Sequence, residues 1–317
     1  MTDHPRDPFV ARSAHGAAPY LWMLSAALAF SVMGTAAHSL KDECDWRTIA
    51  LARAVIPLVL TVVWGLCERG PILVWRPVSL WVRSLAGSTA LLCTFYSFTR
   101  LPVGDVLTLT NLFPIWLALL GWPVLGIVPR ASTWVAIATG MAGVALIQQP
   151  HLATGNAATL VAVFSSLCSA VAMLGLHRLT MLSPRTIVMH FSAVSLVFCL
   201  AAWMTTPDRY AEMLPSSKIV PVLLAVGGSA TLGQFALTKA FTLGDPAKVA
   251  VAGLTQVAFG LAFDRWLWGR ELVPEHLLGT ALVLAPTAWL LWNQALDQST
   301  KLVRGNPGDA GETASNR

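Results

Sequence analysis

Nine stretches of 14 residues or more run without Asp, Glu, Lys or Arg: 13–40, 54–67, 84–99, 106–129, 131–177, 186–207, 219–238, 249–263 and 276–296. These are lengths for crossing a bilayer, whose hydrocarbon core takes about 20 apolar residues as helix. The longest, 131–177, holds Gln148, Gln149, Pro150, His151, Gly155 and Asn156 in its interior. Such a cluster marks a polar turn, so this stretch divides in two and the total becomes ten. The expected spans are 20–37, 46–66, 79–99, 104–124, 132–148, 157–177, 186–204, 219–239, 247–267 and 274–293. The loops left between them are 4–14 residues long, too short for a sizeable domain outside the membrane.

Composition agrees. Of the 317 residues, 55% are apolar and 12% charged, against about 25% charged in an ordinary soluble domain, which excludes a soluble globular protein and a disordered one. A net charge of +5 would point to nucleic acid in a soluble chain. Here the basic residues fall in short loops, where they set membrane orientation instead. With the N-terminus inside, 13 basic residues, Arg83 and Arg185 among them, fall on the cytoplasmic side and 7 opposite, and Arg53 lies within a span. Both termini are therefore expected in the cytoplasm. Eleven tryptophans lie near predicted helix ends, at headgroup level, while Trp116 sits in mid-span. The five cysteines show no paired spacing, so neither a disulfide framework, a metal site nor a cofactor is implied. The first apolar segment weakly resembles a signal peptide at Thr35, Ala36 and Ala37, but an internal repeat requires it as a helix.

That repeat appears at an offset of 143 residues, which aligns 98–130 with 241–273 without a gap and matches Phe98, Thr99, Val106 and Gly126 to Phe241, Thr242, Val249 and Gly269. Near an offset of 138, 47–53 resembles 185–191. Both matches fall on equivalent helices of a five-plus-five division. Because five is odd, the second half enters the membrane from the opposite side. The expected fold is thus an all-α integral membrane protein of ten transmembrane helices in two inverted five-helix repeats, a recurrent basis of alternating-access transport. The divisions are a tail at 1–19, a first repeat at 20–149, a connecting loop at 150–156, a second repeat at 157–293 and a tail at 294–317.

Ten helices with Arg53 in the second, Pro114 in the fourth and the turn 269–279 joining the ninth and tenth resemble the EamA-type members of the drug/metabolite transporter superfamily. The resemblance covers about residues 20–293. The first repeat departs from it in reducing the expected Gly-Glu-Arg-like turn to 126–130. It implies a central cavity lined by helices 1, 3, 4, 6, 8 and 9. Through that cavity pass small metabolites, often amino acids or related compounds, usually outward across a plasma membrane. The Ala-rich, compact chain without N-glycosylation sites reads as that of a bacterial inner-membrane protein. The partners expected are a small-molecule substrate and the bilayer, without nucleic acid; a homodimer is left open.

Eight residues are candidates for the substrate site. Arg53 within a span costs about 2.5–3.5 kcal/mol on insertion scales and needs a partner, water or a route to the surface; it either holds an anionic group or snorkels. His190 titrates near neutral pH if exposed, or packs. Asn111, Gln234 and Gln256 are amides at a depth where each must find a partner, and Asn111 and Gln256 occupy related positions in the two halves. Tyr96, Phe113 and Trp116 could wall a pocket for an apolar or aromatic moiety. Pro114 should kink helix four, and Ala136, Gly140, Gly143, Ser165 and Ser169 are spaced for close helix contact. The rival reading is an integral-membrane enzyme such as a lipid or isoprenoid transferase. That reading would require clustered Asp, His or Cys at an interface, and no HExxH, GxSxG or DxxD pattern is present.

Overall fold

The computed structural model describes residues 16–40, 43–68, 74–98, 100–150, 157–204, 219–269 and 271–303. The described residues form helices and no strand: α1 (Ala18–Ser39), α2 (Trp46–Cys67), α3 (Val78–Phe98), α4 (Val103–Thr110), α5 (Phe113–Leu125), α6 (Ala131–Gln148), α7 (Ala157–His177), α8 (Pro184–Met204), α9 (Val220–Leu243), α10 (Pro246–Gly253), α11 (Thr255–Trp268) and α12 (Pro274–Val303). Nine spans among the described residues are long and apolar enough to cross a membrane, with Gly104–Leu125 and Pro246–Trp268 each counted as one. The tenth expected span, 274–293, lies in α12, whose helix continues to Val303. Residues 1–15 of the first tail, 151–156 of the connecting loop and 304–317 of the last tail lie outside the described residues.

Local chemistry sets the helix ends. The Asp45 carboxylate accepts from the Arg47 amide at 2.8 Å and starts α2, while Asp245 accepts from Ala247 at 3.0 Å and Lys248 at 3.4 Å, with Pro246 in the first helical position of α10. These side chains satisfy amides that a helix start leaves open. Gly126 and Gly269 end α5 and α11 at φ 71° and 66°, a left-handed turn that glycine enters without a Cβ penalty.

Two spans are broken. The fourth is interrupted at Asn111 and Leu112, so that Pro114 becomes the second residue of α5. Pro114 does not kink a continuous helix as expected: its missing N–H falls among the donors that a new helix start leaves unbonded in any case. The ninth breaks at Leu254, which has no proline near it. Both breaks keep the repeat offset: Val103 and Pro246 start the first pieces, Thr110 and Gly253 end them, Leu125 and Trp268 end the second pieces, and Gly126 and Gly269 carry the positive φ.

Helix contacts recur in matching pairs. Helix α1 packs on α9 as α3 packs on α7, α2 on α9 as α8 on α3, and α1 on α11 as α7 on α5. Helices α2 and α8, and α6 and α12, pair directly. Lipid tails supply no hydrophobic drive between helices, so small residues let the backbones close up. A Cβ on Gly143 of α6 would stand 2.6 Å from the Gly279 carbonyl oxygen of α12, and one on Gly279 would stand 2.7 Å from the Gly143 carbonyl. At Gly175 of α7 the added atom would lie 3.2 Å from the Arg83 amide of α3. The Pro246–Trp268 span is the innermost of the nine, with 67% of an 18-residue stretch buried against 33–44% for the other eight.

Two basic residues assigned to cytoplasmic loops are corrected. Arg83 and Arg185 are the sixth residue of α3 and the second of α8, and are only 2% and 7% exposed. Neither is a loop charge that marks orientation. Arg185 reaches Glu68 at the end of α2, at 3.5 Å.

Candidate functional site

Where α2, α3, α8 and α9 meet, their polar side chains form a column between apolar walls. Within it Arg83 Nη2 donates to Gln234 Oε1 at 2.9 Å, and the guanidinium carbon lies 4.2 Å from the centre of the Phe191 ring. Geometry on α3 makes room for this. Gly87, one turn after Arg83, is where a Cβ would run into Arg83 Nη1 and stand 2.9 Å from Phe191 Cε2. The side chain therefore lies along its own helix over a glycine. Gln234 is buried at 7% exposure in α9, and its backbone carbonyl accepts from Thr238 Oγ1 at 2.7 Å.

On the next residue of α3, Ser84 Oγ and His190 Nδ1 are 2.7 Å apart, and the His190 ring stands edge-on to Trp81 at 4.6 Å. One turn beyond Ser84 along α3, Ser88 Oγ and Ser195 Oγ are 2.9 Å apart. Arg53 approaches from α2, half-buried, on a stretch whose Ala50 and Ala54 pack with Leu91 of α3 and Cys199 of α8. Pro57, four residues further along α2, has no N–H for the Arg53 carbonyl. Among the described residues neither Arg53 nor Arg83 has a carboxylate within ion-pair distance, and Arg83 Nε is buried without a hydrogen-bond partner.

Of the eight sequence candidates, the structure thus gathers Arg53, His190 and Gln234 around Arg83. Three others lie at the break of the fourth span. Asn111 Nδ2 donates to the Leu107 carbonyl of its own chain turn at 2.7 Å; Trp116 Nε1 donates to Ser166 Oγ of α7 at 2.9 Å; and Phe113 packs toward Gly253 and the core around Met23. Gln256 is half-buried just past the other break, where its backbone carbonyl accepts from Ser31 Oγ of α1 at 2.8 Å. Tyr96 lies apart, 41% exposed near the end of α3, with Arg100 5.3 Å from its ring centre.

Sequence reasoning missed Arg83, Phe191 and Gly87. Arg83 was counted as a loop charge although it stood five residues inside the expected span 79–99. A glycine one helical turn beyond a buried arginine was a usable signal, because it leaves space for the guanidinium. Phe191 is the residue that an offset of 138 sets against Arg53.

Comparison with known proteins places this arrangement in context. Residues 17–149 match the EamA-like transporter family. The chain is 25% identical over 270 residues to the pseudopaline exporter CntI of Pseudomonas aeruginosa strain UCBPP-PA14, covering 82% of this chain and 91% of that one. It is 24% identical over 206 residues to an uncharacterized transporter of Helicobacter pylori strain 26695, covering 64% and 69%. A solved crystal structure superposes with a TM-score of 0.74 at 15% identity, over 87% of this chain and 98% of that one, which is a likeness of fold.

Proposed function

Given that this chain is an EamA-type transporter of the drug/metabolite transporter superfamily, and not an enzyme, we propose that it exports small organic metabolites across a bacterial inner membrane by alternating access. Ten spans arranged as two inverted five-helix repeats, with both termini in the cytoplasm, perform the cycle. The observation that carries this reading is the pair of broken spans, which start, break and end at positions 143 residues apart. A break places unwound backbone and a helix end in the middle of a membrane protein, which is tolerated where it faces protein or a water-filled cavity. Two such breaks in related positions of the halves are how many carriers build a site at the bilayer midplane.

Contacts between α5 and α10 and between α1 and both α10 and α11 support a central path at this level. Export is the direction that the Pseudomonas relative's name supports. The test is efflux from proteoliposomes loaded with a bacterial metabolite extract, followed by mass spectrometry of the outer medium. Protein-dependent release of a restricted set of small metabolites is expected. Release indistinguishable from that of protein-free liposomes would refute the reading.

A further inference from the structure

We propose that the α2–α3–α8–α9 column is a binding site for the anionic oxygens of an organic acid or phosphate, held by Arg83 and Arg53 with Gln234 as the neutral support. The inference deepens the transporter reading, on which it rests, by giving the class of solute.

The argument begins with charge balance. A guanidinium buried in a helix bundle is stable when paired, hydrogen-bonded or wetted. Arg83 is 2% exposed, holds one bond to an uncharged amide and leaves Nε unpartnered. Arg53 brings a second positive charge on α2, where the flanking Ala50 and Ala54 pack with Leu91 of α3 and Cys199 of α8, and no described carboxylate pairs with either. Like charges gathered in a low-dielectric setting repel far more strongly than at a surface. A fold that needed Arg83 only as a strut would gain from a partner carboxylate and would not require a second arginine nearby.

The donor inventory specifies the ligand. The guanidiniums offer only donors, and the Gln234 carboxamide, whose oxygen is taken by Arg83, has its NH2 left to donate. Planar guanidinium forks match carboxylate and phosphate oxygens bidentately. Around these donors the acceptors already have partners: Ser84 with His190 and Ser88 with Ser195. A ligand entering the column therefore meets donors first, and a cation would meet two positive charges. Phe191 and Gly87 fix the Arg83 guanidinium against the ring face and along α3, which holds its orientation ready before a ligand arrives.

The experiment measures binding rather than flux. Full-length protein in neutral detergent is melted in succinate, in citrate, in inorganic phosphate, in sodium chloride at matched ionic strength and in uncharged succinamide. The same series is run on R83Q, R53Q, R83K and R53K. The expected result is a rise in melting midpoint with the carboxylates or with phosphate, beyond that with chloride and absent with succinamide. Apparent affinity should fall at least tenfold in either Gln variant and by less in the Lys variants, which keep the charge and lose the fork. A response to carboxylates alone supports an organic acid as the solute, and one to phosphate alone supports a phosphate ester. If wild type and the Lys and Gln variants respond alike to every anion, the proposal is overturned. Should the Gln variants fail to fold, the Lys variants decide: an anion response unchanged in both overturns it. Anion binding without efflux from proteoliposomes would defeat the transporter reading and leave this site standing; efflux of neutral solutes without anion binding would do the reverse.

Discussion

Replacing Gly143 with alanine is expected to force α6 and α12 apart. The new Cβ would stand 2.6 Å from the Gly279 carbonyl oxygen, 2.8 Å from Val283 Cγ2 and 2.9 Å from the Val283 amide nitrogen, whereas carbon atoms rest at about 3.5–4.0 Å. Two of the three obstacles are backbone and cannot rotate away, so the helices must separate. Overpacking of this kind costs about 1–3 kcal/mol, and the better helix propensity of alanine returns about 0.5–1 kcal/mol. The net loss is about 0.5–2 kcal/mol, a factor of about 2–30 in the folded-to-unfolded ratio. Gly228 of α9 provides the control, because a Cβ there meets nothing within 4 Å and only the propensity gain remains. Thermal and denaturant unfolding of both variants in one detergent should place Gly143→Ala below wild type and Gly228→Ala at or above it. Equal or greater stability of Gly143→Ala, or parallel shifts in the two variants, would refute the close-contact argument.

Four further outcomes are expected. Trp116→Phe, which deletes the Nε1 donor to Ser166 Oγ, should lower stability by about 1 kcal/mol in the same unfolding assay. A reporter active only in the cytoplasm, fused after residue 317, should give signal, and one active only outside should not; the opposite pattern rules out ten spans with both termini inside. Single cysteines at 111 and 256, in a background lacking the five native ones, should react with a membrane-impermeant thiol reagent from at least one side, since the two breaks border the proposed path. If neither reacts while efflux persists, both amides are packing contacts. Cys44, in the turn between α1 and α2, has its thiol pKa raised by burial and then by the negative charges of Asp45 and Glu43. A raised pKa means less thiolate at a given pH. Its alkylation, read by peptide mass spectrometry, should therefore lag behind a free thiol at pH 8 and still be climbing where the free thiol has levelled off.

Most of the helical layout was legible because charge-free runs and their polar interruptions report bilayer thickness directly, as the split of 131–177 into α6 and α7 shows. Proline was less informative. Pro114 signalled an irregularity, but the chain broke three residues earlier, at Asn111, because a proline is better tolerated in the first turn of a new helix than in the middle of an old one. The break at Leu254 has no proline beside it, and its local hint is the Gly253 that ends α10. Its buried side chain lies against α6, where a Cβ on Gly140 would come within 2.7 Å of Leu254 Cδ1, so tertiary packing holds that break. Among the candidate residues, Arg53, His190 and Gln234 were visible as polar groups at depth. Arg83 was not, because its place near the start of α3 mimicked a loop charge, and only its fold over Gly87 toward Gln234 reveals where the charge sits.

The burial of the Pro246–Trp268 span bears on how the protein is made. Its neighbours include α1, α5, α6 and α12, of which the first three leave the ribosome before it and α12 after it. At about 5–20 residues per second, the roughly 200 residues that separate α1 from this span take about 10–40 seconds to synthesise. Throughout that interval the surfaces of α1, α5 and α6 that will grip it face lipid, insertion machinery or one another in provisional contacts. A nascent chain released before residue 246 would be inserted and largely helical, yet missing the element that its earliest helix is shaped to hold. The span that ends up most buried is thus among the last to arrive, so its synthesis decides whether the helices made before it become a folded protein or a substrate for membrane proteolysis.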